Sequence, residues 1–356
     1  MKREIGSEFW INEIIEDSEV KTPNWLSKFG NVVLTSSGRA AITLLLQQLD
    51  TDFKTALLPS YICDSVIMPF IEMGYVCYFY DVEKDLSVNI DYILNFDNIG
   101  VFLHIGYFGF KTNSNLERVI KHFKVKSTVI VEDVTHTLFS NYDRFYENDF
   151  YVGSIRKWAG IPSGGFLASN IDVKNKPLHI HEEFTKIRKE ALLLKHEYIK
   201  THDLKLKEKF LNQFSEAEEI LENDSSIYSI DEFSLHQLNN LNVQELIEKR
   251  RKNYAYLKDK LNDINLIEIL FKDLDENICP MFFPILIKEN RNQIRKFLID
   301  EEIYCPVHWP IPKQINIDEY RNSYKIYNSV LSIPCDQRYD LKDMERIISV
   351  LKTIFE

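Results

Sequence analysis

Val-Ile-Val-Glu-Asp-Val-Thr-His-Thr at 129–137, followed about twenty residues later by Gly-Ser-Ile-Arg-Lys-Trp at 153–158, decides how this chain is read. The first segment has the pattern of a buried strand: an apolar run that ends in an acid, Asp133, with His136 three positions on. A carboxylate there sits at the carboxyl edge of a sheet, where open α/β folds place their ligands. The second segment sets one lysine, Lys157, in a short polar turn among Ser154, Arg156 and Trp158.

Outward from this pair, short apolar runs alternate with amphipathic stretches. Residues 37–49 have helical period and start behind serines and a glycine, a natural N-cap. Strands are expected at 55–59, 76–80, 100–104 and 127–132, with helices at 64–73 and 115–123 between them. Such alternation predicts an α/β fold with a mostly parallel sheet flanked by helices. Beyond about residue 180 the texture changes to long, charged helical stretches at 182–222 and 235–261. A strand at 280–287, a helix at 291–300, a strand at 330–333 and a closing helix at 341–354 follow. The expected division is a large domain with an N-terminal arm over 1–235 and a smaller α+β domain over 236–356, joined by the long helix.

At 356 residues the chain is longer than one ordinary core requires. Its 45% hydrophobic and 27% charged residues are a globular balance, and the net charge of −11 speaks against a nucleic-acid surface. The basic clusters 186–189 and 248–252 are expected to be solvated helix faces. Five scattered cysteines without C-x-x-C spacing predict neither a disulfide framework nor a zinc site, and no metal is expected. There is no apolar stretch of membrane-spanning length and no apolar run near the N-terminus, so a cytoplasmic location without membrane association is expected.

An acid at a strand end and a lysine in a nearby loop are what pyridoxal 5'-phosphate (PLP) chemistry needs. The lysine carries the cofactor as a Schiff base, and the acid keeps the pyridine nitrogen protonated. Taken alone, Lys157 is an ordinary loop charge, Asp133 serves equally as a helix N-cap, and His136 as a hydrogen-bonding residue. The double glycine 164–165 lets backbone approach a ligand closely. Ser36-Ser37-Gly38-Arg39-Ala40 opens a helix whose free N–H groups and dipole suit a phosphate. The Gly-Lys-Ser/Thr ending of a P-loop is missing, as are Gly-x-Ser-x-Gly and His-Glu-x-x-His.

In this order the motifs resemble those of the DegT/DnrJ/StrS family of sugar aminotransferases, which are fold-type I PLP enzymes. The resemblance rests on Ser-Gly-Arg-Ala-Ala-Ile (37–42), Leu-Pro-Ser-Tyr-Ile-Cys (58–63), Glu-Asp-Val-Thr-His (132–136) and Ser-Ile-Arg-Lys-Trp with Pro-Ser-Gly-Gly. Tyr-Cys-Pro-Val-His-Trp-Pro (304–310) and Leu-Ser-Ile-Pro (331–334) add to it. It implies that Lys157 binds PLP and shuttles the proton, that Asp133 pairs with the pyridinium and that His136 bonds the ring oxygen. Gly38, Arg39 and Ser154 would hold the phosphate. It also implies an amino donor such as glutamate, a keto-sugar acceptor, nucleotide-linked, and a homodimer. Arg338 is a candidate carboxylate clamp for the amino donor, and His308 and Trp309 are candidate pocket walls. Other readings are a PLP enzyme with a non-sugar substrate and a non-catalytic relative serving as a binding protein.

Three positions depart from the family pattern. Cys63 stands where an aromatic stacks on the ring, with Tyr61 or Tyr107 as substitutes. Ser163 replaces the glutamate of Glu-Gly-Gly, and the charged helices of 182–222 replace a Gly-x-Asn-Tyr-Arg stretch.

Overall fold

The computed structural model describes residues 3–14, 21–50 and 53–355. Part of the expected 1–235 unit, namely Met1, Lys2, 15–20 and 51–52, lies outside the described residues. After a two-residue strand β1 (Ile5–Gly6) come β2 (Asn31–Thr35), β3 (Thr55–Pro59), β4 (Val76–Tyr80), β5 (Val101–Ile105), β6 (Val129–Asp133), β7 (Phe150–Ser154) and β8 (Gly165–Ser169). β2 to β8 form one sheet in the order β2-β8-β7-β6-β5-β3-β4. Its centre is parallel, with β3 beside β4 and β5, β5 beside β6 and β6 beside β7, while β8 runs antiparallel to β7 and β2.

Chemistry explains this order. β5, Val-Phe-Leu-His-Ile, is buried along its whole length, as a central parallel strand covered on both faces must be. β4 exposes Val76 and Tyr78 because it is the sheet edge. Helices α1 (Gly38–Gln48), α2 (Asp64–Glu72), α3 (Ile90–Ile93) and α4 (Glu117–Val125) connect the strands. The mostly parallel α/β sheet is as the alternation predicts. β2, β7 and β8 are not separately anticipated; no helix separates β7 from β8, so the strand–helix alternation that marks β3 to β6 is missing there.

The charged stretch 182–222 is two helices, α5 (Glu182–Thr201) and α6 (Leu204–Asn223), packed on each other. The single helix expected over 235–261 is broken into α7 (Glu232–Asn239) and α8 (Val243–Leu261). The break is local: the Asn242 side chain accepts from the Glu245 N–H and caps a new helix start. The 235/236 boundary falls inside α7. Beyond it, β9 (Ile267–Ile269), β10 (Phe283–Ile287) and β12 (Val330–Ile333) form an antiparallel sheet in the order β12-β10-β9. Helices α9 (Arg291–Asp300), α10 (Arg321–Ser329) and α11 (Leu341–Phe355) accompany it. β11 (Ile303–Tyr304) pairs in parallel with β1, which ties the N-terminal segment to the C-terminal part. Among the described residues, no helix is long and apolar enough to cross a membrane.

Candidate active site

The carboxyl ends of β5, β6 and β7 and the start of α1 open into one cavity of about 480 Å3. Segments from the N-terminus, the α5–α6 pair and the C-terminal part close it. Gly38, Arg39, Asp133, His136, Ser154, Lys157, His308 and Arg338, scattered over three hundred positions, all line it.

Asp133 ends β6 and is 6% exposed. Its Oδ1 accepts from the Thr135 N–H at 2.8 Å, and burial pushes its carboxyl up to about 6. The Thr135 carbonyl in turn accepts from the Trp158 indole at 2.6 Å, which links the acid's turn to the lysine's turn. His136 is buried; its Nδ1 accepts from the Phe108 N–H at 3.2 Å. Desolvation, aided by Lys157, pushes the imidazole down to about 3. The ring is therefore neutral near pH 7, with its hydrogen on Nε2 available for donation. Lys157 is the exposed residue of its turn and makes no hydrogen bond or ion pair with a described residue.

The start of α1 forms a cradle. Ser37 caps the helix by accepting from the Ala40 N–H, which leaves the Gly38 and Arg39 N–H groups without intrahelical acceptors. A Cβ on Gly38 would lie 3.1 Å from the Ser154 Cβ, so glycine is what brings the helix start against the Ser154 hydroxyl. Gly165 has a similar packing role: a Cβ there would meet the Ser37 backbone at 2.2 Å. The double glycine therefore admits α1 to the end of β8, and neither Gly164 nor Gly165 lines the cavity.

Several expectations are corrected. Tyr61 and Tyr107 are fully buried behind the cavity wall and do not line it. The cavity's aromatic surface comes from Phe9, Phe282, Tyr304 and Trp309, the last tilted 33° to the His136 ring at 5.3 Å between centroids, and Cys63 faces the same space. The fork of Arg338 is closed on Asp336, with Nε–Oδ1 at 2.8 Å and Nη2–Oδ2 at 2.9 Å, so it is an internal ion pair and not an open clamp. His308 does line the wall, half-buried, with Nδ1 2.7 Å from the Ser332 hydroxyl. Ser163 bonds Asp231, the cap of α7, and so holds that helix start near the lysine loop.

The basic clusters are not purely solvated faces either. Arg188 is 4% exposed and Arg250 is 1% exposed, and both line the cavity. Arg156 and Arg188 converge on Glu218 Oε1 at 3.3 and 2.9 Å, and Arg188 also holds Glu8 at 2.8 Å. Burial would raise the Glu218 carboxyl, but Arg156, then Arg188, Lys157 and Arg39 outweigh it and hold it down at about 2. Arg188 and Glu218 are residues the sequence reading missed. A signal existed, because Arg188 shares the buried stripe of α5 with Phe184, Ala191, Lys195 and Tyr198.

These donors fit PLP. A buried carboxylate suits a ring cation, a helix start with a serine suits a phosphate, and Lys157 is unpaired. The cavity carries seven Lys or Arg side chains against four Asp or Glu, an excess suited to anions in a chain that is acidic overall. Arg39 and Arg156 each bury an Nε without a partner.

No curated protein matches the chain by sequence. Among solved structures, PseC of Helicobacter pylori, an aminotransferase of pseudoaminic acid biosynthesis, superposes with a TM-score of 0.71 at 15% identity, over 99% of both chains. Spr1654 of Streptococcus pneumoniae in its PMP form gives 0.69 at 15% identity, over 97% of this chain and 91% of that one. DesV of S. venezuelae gives 0.67 at 14% identity, over 93% and 87%. Likenesses at this identity establish a shared fold, here fold-type I. The chain thus has the resemblance its motifs imply: residues 233–352 match the model of the DegT/DnrJ/EryC1/StrS aminotransferase family, on a fold shared with PseC and DesV over nearly the whole length.

Proposed function

We propose that this chain is a PLP-dependent aminotransferase that moves an amino group from an amino acid such as glutamate to a keto-sugar, nucleotide-linked as in the resemblance above. The observation that carries the reading is the meeting of three elements in one cavity: unpaired Lys157, buried Asp133 and the open start of α1. The match to an aminotransferase family model supports it, as do the PLP and PMP forms of Spr1654, a structural neighbour.

Bound here, PLP supplies an electron sink for charge that develops at the substrate's α carbon. Lys157 Nζ would hold the cofactor's aldehyde carbon and, once released, move the proton at the α carbon. Asp133 keeps the ring nitrogen protonated. His136 Nε2–H donates to the ring oxygen, and its neutral state makes it a donor that adds no charge. The Gly38 and Arg39 N–H groups and the Ser154 hydroxyl hold the phosphate. His308 and Trp309 line the cavity beside His136 and would exclude water from the reacting atoms. A homodimer is part of this reading.

The test is the near-ultraviolet and visible absorbance of the purified protein with PLP, before and after L-glutamate. A cofactor band that glutamate converts and that Lys157→Ala lacks supports the reading. A wild-type chain that takes up no PLP overturns it and leaves the binding-protein alternative.

A further inference from the structure

Arg156 is 8% exposed, and its guanidinium is only partly used. Nη1 reaches Glu218, while Nε is buried without a partner and Nη2 makes no hydrogen bond to a described residue. The unused Nε–Nη2 edge is the side-on fork that matches a carboxylate with two parallel hydrogen bonds. The Phe184 ring lies 5.4 Å from the guanidinium carbon and restrains its plane. Arg188, on α5, lies on the other side of Glu218, and its second branch is held by Glu8 of the N-terminal segment. Its Nε is also buried and unpartnered. Glu8 is thus a carboxylate of the chain itself, 43% exposed, resting on a buried arginine inside the cavity that holds Lys157.

We propose that Arg156 and Arg188, bridged by Glu218, recognise a carboxylate of the amino-acid substrate, and that Glu8 occupies Arg188 until that carboxylate arrives. This assignment rests on the aminotransferase reading and names the donor site within it. It replaces Arg338, whose fork Asp336 has closed. Glu218 is the fixed member: two guanidinium groups hold it ionised, so it keeps both arginines aimed into the cavity. Glu8 is the exchangeable member, since it meets one arginine where Glu218 meets two; the two carboxylates are equally exposed, so the number of arginines is what separates them. The substrate class is an amino acid with a second carboxylate, because one arginine edge is open and another is released when Glu8 leaves.

The same arginine edge could instead take the cofactor's phosphate, so the experiment measures both ligands. Binding of glutarate, a dicarboxylate with no amino group to react, is titrated calorimetrically with and without PLP. PLP uptake is followed separately by absorbance. Arg156→Gln and Arg188→Gln are expected to weaken glutarate at least about tenfold, the effect of losing a charge-assisted hydrogen bond. PLP affinity should change by less than about threefold, and Glu8→Gln should tighten glutarate. Arg156→Lys, which keeps the charge without the fork, covers the case of a misfolded Gln variant and should fall between wild type and Gln. Unchanged glutarate affinity in the arginine variants, or no glutarate binding by wild type, overturns the proposal. PLP affinity falling with Arg156 while glutarate binding persists assigns the arginine to the phosphate and also overturns it. Failure of wild type to bind PLP sinks the aminotransferase reading instead, and the glutarate titration without PLP reports on the arginines independently.

Discussion

Arg250 lies over Trp158, with its guanidinium carbon 4.4 Å from the ring centre, and both side chains are buried. Arg250 belongs to α8 and Trp158 directly follows Lys157, so this contact joins the C-terminal part to the lysine turn. Gln337 closes the link, accepting from Arg250 Nε at 2.8 Å and donating to the Trp158 carbonyl at 2.7 Å. Arg250 Nη1 also reaches the Met281 carbonyl at 2.8 Å. The turn that presents Lys157 is therefore held from below by the indole bond to Thr135 and from the side by an arginine and a glutamine.

Trp158→Phe should keep the aromatic bulk and lose the indole bond. It leaves the carbonyl of half-buried Thr135 without this partner, at a cost of about 0.5–1.5 kcal/mol in stability. Trp158→Ala should cost about 3–5 kcal/mol because it adds a cavity. Urea unfolding checks both values. Equal stability of Trp158→Phe and wild type would mean that the Thr135 link contributes nothing.

Asp133 carries a cost in the cofactor-free chain. Its carboxyl is raised from 3.8 to about 6 by burial, so the folded state holds a proton that the unfolded state releases first. Stability falls as pH rises through the window from about 4 to about 6, and the loss is complete above it, at about 3 kcal/mol. Asp133→Asn removes the titration while keeping an oxygen for the Thr135 N–H. It should be more stable than wild type at pH 7, with the gain shrinking toward pH 4, and should bind PLP more weakly. Unfolding curves at several pH values without cofactor test this, and a pH-independent difference would be inconsistent with it.

The N-terminal segment is pinned by a buried ion pair. Lys195 on α5 is fully buried, 2.8 Å from Glu4, which is 1% exposed, and it also donates to the Ser7 hydroxyl and the Glu8 carbonyl. Lys195→Met leaves the Glu4 carboxylate with Lys207 alone, 3.4 Å away. The expected loss is about 3–5 kcal/mol, and the double variant with Glu4→Leu should recover much of it. Because Glu8 hangs from the same segment, the single variant should also speed proteolytic cleavage within residues 3–10. Wild-type resistance there would show that the pair does not hold the segment.

The strands β3 to β6 were legible from local signals, and the expected cavity residues from the resemblance of the motifs that carry them. Apolar runs mark buried parallel strands, and Asp133, Lys157 and Gly38 stand at their ends or at a helix start. The arginines of the cavity were hidden for a different reason. Clusters such as Lys-Ile-Arg-Lys read as solvated by composition, but α5 buries a stripe through Phe184, Arg188, Ala191 and Lys195, so one residue of the cluster points inward. α8 repeats the case with Leu246, Arg250, Asn253 and Leu257. Helical register, more than composition, carried that information. The Asp336–Arg338 pair gave no signal beyond proximity, since two residues' spacing does not say whether a fork is open.

Cys63 reports on how the cofactor ring is seated. It faces the cavity half-buried, with the Ser65 hydroxyl 3.0 Å from its sulfur, at the position where the family resemblance calls for a stacking aromatic. Cys77 is also half-buried but lies on β4, outside the cavity, and burial pushes its thiol up to about 11, which slows its reaction. Cys279, Cys305 and Cys335 are buried. N-ethylmaleimide should therefore label Cys63 first in the cofactor-free chain and Cys77 slowly. PLP should protect Cys63 and leave Cys77 unchanged, as read by peptide mass mapping. Protection requires the ring to lie against the sulfur; equal labelling of Cys63 with and without PLP would mean that the ring packs on other side chains of the cavity, such as Trp309 and His136.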